Sequence, residues 1–242
     1  MKIYIRNELE KATALLSETV NTYSDLKYLY HSYLELPTEF KDNYAEVTGK
    51  WDINDPAQID SLIIANTNVQ TYRVIFYDQT GAEIYDTGVI SVFERISITA
   101  LPERLIAFSF KATFTASGIV SIGLLHMGMV TDFPRFIVNP SKAFSFRGDS
   151  NRTMGGQSYG TFQQPLESFA VSFVRVNNEE RNKLKDYMNT VTNVVPHVVD
   201  FYSEAHEEFP PMYVTLSNGL ETAKRAERNF YWNFNLAWQE AR

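Results

Sequence analysis

The sequence predicts a mainly β protein in two modules, the second an α+β arrangement with one helix. Three observations carry that expectation. Apolar residues recur at every second position over much of the chain, prolines cluster where the alternation breaks, and one stretch after the break shifts to helical spacing.

Taken in chain order, Leu26, Leu29, Tyr30, Tyr33 and Leu34 follow Ser24, fit a helical period and stop before Pro37, although tyrosine-rich segments suit sheet as well. Ile59 to Ala65 and Ile119 to Leu125 are short, β-branched apolar runs bounded by Asn66-Thr67-Asn68 and Ser117-Gly118, which reads as two buried strands. Tyr72 to Tyr77 and Ala82 to Tyr85 flank Asp78-Gln79-Thr80-Gly81, a hairpin whose glycine supplies positive φ. Ile106 to Phe114 alternates throughout and reads as one half-buried strand.

The alternation is punctuated at Thr131-Asp132-Phe133-Pro134 and Asn139-Pro140, placing modules at residues 1–133 and 134–242. Charge supports the split. Residues 1–130 carry 10 basic and 16 acidic groups, net −6, while residues 131–242 carry 12 and 13, net −1. Beyond the break, Phe169 to Val176 alternates as a strand. Leu184, Tyr187, Met188 and Val191 then line one face of a helix over about 178–192, with Asn177 as N-cap and Glu180 three residues on. Phe230, Trp232, Phe234, Leu236 and Trp238 share one face of a last strand, opposite Tyr231, Asn233, Asn235 and Gln239. That stripe and the helix face are expected to form the second core.

The whole chain of 242 residues is 44% hydrophobic and 14% aromatic, enough apolar material for folded cores and too much for a disordered chain. A formal charge of −7 disfavours nucleic acid and anionic membrane as partners. The absence of cysteine excludes disulfides, thiolate metal sites and cysteine nucleophiles. The alternating, charged start Met1 to Glu8 lacks the apolar run of an export signal. The least polar run, Gly118 to Val130, is too short to span a bilayer, so a soluble protein is expected.

Motifs for chemistry are sparse. His31, His126, His197 and His206 are scattered without metal-ligand spacing. Asp200, Glu204, His206, Glu207 and Glu208 cluster before Pro210-Pro211 and read as a solvated acidic loop. Gly155-Gly156 and Gly160 lack the lysine and following helix of a phosphate loop, so a loop or hairpin is expected there. The same stretch holds Arg147-Gly148-Asp149, an integrin-type tripeptide, and the sequon Asn151-Arg152-Thr153, neither meaningful without an extracellular setting. No nucleophile elbow occurs, and no catalytic, cofactor or metal residue is assigned. Trp51, in Gly49-Lys50-Trp51-Asp52, is a possible sugar-stacking residue but reads first as core.

Tyr44 to Ile53, Ile59 to Asn68 and Tyr72 to Gly81, closed by Ser117 to Gly128, resemble the galactose-binding-like jelly roll of discoidin type over about residues 10–130. Gly156-Gln157-Ser158-Tyr159-Gly160, the strand at Phe169 to Val176, Glu179-Glu180-Arg181 and Pro211 to Asn218 resemble a tail-tip or distal-tail protein of a tailed bacteriophage. Together the resemblances imply a non-enzymatic structural component of a phage tail tip or baseplate. It would sit in the virion after assembly in the bacterial cytoplasm, building a homo-oligomeric ring with other tail proteins through its second module. The first module would meet host-surface glycan. The 34 aromatic residues suit such contact surfaces. The rival expectation is a non-catalytic carbohydrate-binding module.

Overall fold

The computed structural model describes residues 1–30, 36–133, 141–145, 150–152, 158–160, 166–191, 195–201, 210–217, 224–225 and 232–241. They divide into two compact units. One is Tyr4–Thr131; the other joins Met1–Ile3 to Asp132–Ala241. The expected boundary around Pro134 and Asn139-Pro140 lies outside the described residues.

The first unit is a two-sheet sandwich. Its strands are β1 (Lys2–Asn7), β2 (Ala14–Leu16), β3 (Thr38–Glu39), β4 (Tyr44–Lys50), β5 (Ala57–Thr67), β6 (Val69–Tyr77), β7 (Glu83–Asp86), β8 (Ile90–Ser91), β9 (Ile96–Ala107), β10 (Ser109–Ala116) and β11 (Ser121–Asp132). One sheet runs β1-β11-β5-β9 with β3 also on β11; the other runs β2-β4-β10-β6-β7 with β8 also on β6. The period of two does the sorting. Val74, Phe76, Phe110 and Phe114 from one sheet meet Ile59, Leu62, Ile64 and Met127 from the other in a single core. On the outward face of the second of these sheets, Lys111 on β10 pairs with Glu46 on β4 at 2.8 Å. Arg73 on β6 is bound by Asp86 on β7.

Two local expectations change. The alternating run from Ile106 to Phe114 is two strands, not one: β9 ends at Ala107 in one sheet and β10 begins at Ser109 in the other. Phe108 makes the crossing, its N–H donating to Tyr77 O and its carbonyl accepting from Trp51 N. The helical pattern after Ser24 is only a 3-10 turn, Leu26–Leu29, capped by the Asp25 side chain accepting from Lys27 N. Tyr33 and Leu34 lie outside the described residues. The hairpin forms as expected, with Gly81 at φ +83° in its turn and the Asp78 carboxylate accepting from Thr80 N and Ala82 N.

The second unit contains β12 (Ser141–Ser145), β13 (Ser150–Arg152), β14 (Ser158–Gly160), β15 (Leu166–Val176), α1 (Asn178–Val191), β16 (His197–Asp200), β17 (Met212–Leu216), β18 (Lys224–Arg225) and β19 (Trp232–Glu240). Here β12-β15-β19-β17-β16 are consecutive neighbours, β18 also pairs with β19, and β13 and β14 form a separate antiparallel pair. The capping box is complete: Glu180 N donates to Asn177 Oδ1 at 2.8 Å and Asn177 N to Glu180 Oε2 at 2.9 Å. Leu184, Tyr187, Met188 and Val191 are buried, as are Phe234, Leu236 and Trp238.

Trp232 departs from the expected buried stripe. It is only partly covered, its ring lying under the Arg181 guanidinium at 4.1 Å and its Nε1–H donating to Asn178 Oδ1 at 3.0 Å. At the start of β19 it is a lid on the first turn of α1 rather than core. Phe230 and Tyr231 lie outside the described residues. No described helix is long and apolar enough to cross a membrane.

Candidate functional site

The sequence-derived candidates fall mostly into the interior. Trp51 is 5% exposed, packs on Phe110 at 5.3 Å between ring centroids and donates Nε1–H to Glu8 O at 2.7 Å. It is a core residue that cannot stack on a ligand. His126 on β11 is buried, edge-on to Tyr4 at 6.3 Å, and its Nε2 has no hydrogen-bond partner among the described residues. Desolvation pushes its pKa from 6.5 down to about 4, so the ring is neutral.

His197 on β16 is buried as well, but it is partnered. Trp238 Nε1–H donates to Tyr187 Oη at 2.7 Å; Tyr187 and His197 Nε2 are 2.7 Å apart, and His197 Nδ1 lies 3.1 Å from Val195 O. One assignment satisfies every group: Nδ1–H donates to Val195, and the unprotonated Nε2 accepts from the tyrosine hydroxyl. Burial pushes the His197 pKa down to about 4 and the Tyr187 pKa up. This chain ties α1 to β16 and β19 without presenting a reactive group to solvent.

Asp200, expected in a solvated acidic loop, is instead buried at the end of β16. Glu204, His206, Glu207 and Glu208 lie outside the described residues, as do His31, Arg147-Gly148-Asp149 and Gly155-Gly156. Among the described residues no three His, Asp or Glu side chains are grouped to hold a metal ion.

What the first unit does present is an aromatic side chain the sequence reading passed over. Phe93 is 91% exposed, between β8 and β9. Its segment crosses from one sheet to the other and is pinned on both sides: Val92 N donates to Gln70 O at 2.9 Å, and Asn66 N donates to Arg95 O at 3.1 Å. Residues 66 and 70 themselves flank the β5–β6 crossing, so the two crossings run side by side. A third segment is tied in through Asn68, whose Nδ2 donates to Ile119 O at 2.6 Å while its Oδ1 accepts from Ser121 N at 2.9 Å. Thr67 Oγ1 adds a bond to Ser121 O at 2.7 Å.

Around this framework Gln70 and Glu94 are exposed and without a side-chain partner among the described residues, and Arg95 and Ile119 are exposed too. A flat apolar ring can stack on the C–H face of a ligand, and an exposed amide and carboxylate on the same pinned segments can donate and accept hydrogen bonds. It has no general acid–base pair or nucleophile held by a base. The signal for Phe93 is present in the sequence: Ile90 and Val92 alternate toward the core, and Phe93 falls out of phase.

No family model and no curated protein sequence matches the chain. Solved structures do resemble part of it. A Streptococcus pneumoniae fucose binding module, SpX-3, is 12% identical over 52% of this chain and 98% of its own, with a TM-score of 0.42. The family 32 CBM from C. perfringens NanJ, in complex with galactose, is 11% identical over 54% and 100%, TM-score 0.43. The lectin domain of lectinolysin, complexed with Lewis B antigen, is 6% identical over 47% and 90%, TM-score 0.39. Likenesses this distant transfer no binding residue and carry no functional argument.

Proposed function

We propose that this protein is a non-catalytic carbohydrate-recognition protein, with the Phe93 end of its first unit as the sugar-binding surface. The observation that carries the reading is the Phe93 ring, 91% exposed and yet held on both sides by backbone hydrogen bonds to two different strands. A large exposed aromatic on a loose tip would be ordinary surface. One on a pinned crossing is pre-organised, so little order has to be gained when a ligand docks. Gln70 and Glu94, both exposed, supply hydrogen-bonding groups of the kind sugar hydroxyls require.

Neither the described geometry nor the solved structures named above support the tail-assembly reading with its ring of second modules. The decisive measurement is a glycan array that includes fucosylated and galactosylated probes, run with wild type and Phe93→Ala. Specific binding that weakens at least tenfold in the variant, with unchanged thermal unfolding, supports the proposal. Wild type that binds no glycan, while the purified protein assembles into rings by electron microscopy, overturns it in favour of the tail reading.

A further inference from the structure

Asn66 is the one non-glycine residue among those described with positive φ, at 47°. That left-handed conformation crowds a side chain against the following carbonyl, and asparagine tolerates it better than other residues with a Cβ. It occurs where β5 breaks off toward β6. The Asn66 amide reaches Arg95 O, one step past the last registered β5–β9 pair, Ala65 with Ile96. The next residues deliver Thr67 Oγ1 and Asn68 onto Ser121 and Ile119. Gln70 is then placed to accept from Val92. Both pins of the Phe93 segment therefore originate in the turn that Asn66 starts.

The opposite strand has made room for it. Gly123 on β11 lies between Ile122, paired with Thr67, and Leu124, paired with Ala65. A Cβ at position 123 would come within 2.9 Å of Asn66 Cβ, closer than real Cβ atoms approach, and 3.0 Å from Asn66 O, a contact tighter than most. Glycine here accommodates the asparagine turn; it is not needed for freedom of its own backbone.

We infer that Asn66, in its left-handed conformation and seated against Gly123, is the positioning residue that fixes the Phe93 segment for ligand binding. It acts through the backbone and need not touch the ligand. The inference rests on the Phe93 surface being the sugar site, but the placement of the segment can be measured without any sugar. Asn66→Gly retains access to φ 47°, whereas Asn66→Ala does not do so without strain. Gly123→Ala pushes on the same turn from the other side.

The test is amide hydrogen exchange at Asn66 and Val92 in the full chain and its three variants, followed by binding to an immobilised neoglycoprotein bearing fucose or galactose. Exchange at position 66 should accelerate about tenfold or more in Asn66→Ala and Gly123→Ala, and Val92 should follow. In Asn66→Gly both should stay within about threefold of wild type. Binding should drop in the first two variants and be rescued by glycine. Equal acceleration in Asn66→Ala and Asn66→Gly would overturn the inference, because backbone conformation would then not be what places the segment. So would unchanged exchange in all three. If exchange follows the expected order while wild type binds neither sugar and no probe on the glycan array, the positioning role stands and the sugar-binding proposal fails. Thermal unfolding of Asn66→Gly identifies loss of fold, since a variant that exchanges everywhere has lost more than the turn.

Discussion

The two ends of the first sandwich both carry long-range backbone bonds, such as Trp51 N to Phe108 O at one and Asn66 N to Arg95 O at the other, but they use their polar side chains differently. At the end holding Trp51, polar side chains satisfy their own turns: Asp52 Oδ1 accepts from Asn54 N and Asn54 Nδ2, and Asp78 accepts from Thr80 and Ala82. The local aromatic faces inward. At the other end the Asn68 side chain reaches across to residues 119 and 121, beside the backbone bonds that join 66 to 95 and 70 to 92, and the local aromatic faces out. A turn that closes on itself uses up its polar groups. A set of crossings held by each other's backbone leaves Gln70, Glu94 and the Phe93 ring available.

That contrast can be broken most forcefully at Trp51. Trp51→Ala should destabilise the protein by about 3–5 kcal/mol, since it removes a buried indole and strands Glu8 O without its donor. Denaturant unfolding reads the effect. A loss below about 1 kcal/mol would mean that this end is not closed by its aromatic.

The next largest effect is acid. His126 on β11 and His197 on β16 titrate near 4 when folded and near 6.5 when unfolded. Between those values the unfolded chain binds more protons, so stability is full above pH 6.5, falls as pH drops toward 4 and then levels with respect to these groups. The ceiling is about 3 kcal/mol per histidine at the bottom of that window. Because β11 begins at Ser121, which Asn68 grips, acid should loosen the Phe93 end along with its sheet, and exchange at Asn66 across this range tests it. The self-closed Asp78 turn should be spared at first: its carboxylate is held below its ordinary pKa by Thr80 and Ala82.

A smaller change sharpens the same contrast. Gly81→Ala should cost about 1–2 kcal/mol from backbone strain alone, since its φ is +83° and no atom lies within 4 Å of the added carbon. The unfolding midpoint should shift while glycan binding stays put. Phe93→Ala should be the mirror image, within about 0.5 kcal/mol in stability because the ring is in solvent, with its whole effect on binding.

The parts of this molecule legible in its sequence are those decided locally. The Asp78–Gly81 turn and the Asn177–Glu180 capping box each lie within a few residues, and both form as the residue types require. The break at Phe108 was not legible, because crossing from one sheet to the other keeps the apolar period intact while changing every partner. Trp232 misled for a related reason: it has the right phase for the core, but it stands at the strand's first residue, where Arg181 and Asn178 of the helix meet it instead. Asp200 belongs to an acidic run by composition and to a buried strand by pairing of its neighbours, Val198 and Val199, with β17. The Phe93 surface depends on hydrogen bonds spanning tens of residues, and no window along the chain contains both ends of them.

The three tryptophans also make this protein its own spectroscope. Trp51 emits from the interior of the first unit, against Phe110 and bonded to a backbone carbonyl. Trp238 emits from the interior of the second, bonded to Tyr187, with Phe201 edge-on at 5.5 Å. Trp232 lies partly in solvent with a guanidinium over its face, a geometry suited to quenching by dissolved iodide. Replacing Trp51 by phenylalanine would leave fluorescence that reports on the second unit alone. Subtracting it from the wild-type signal recovers the first, so each unit's unfolding can be followed without an added dye.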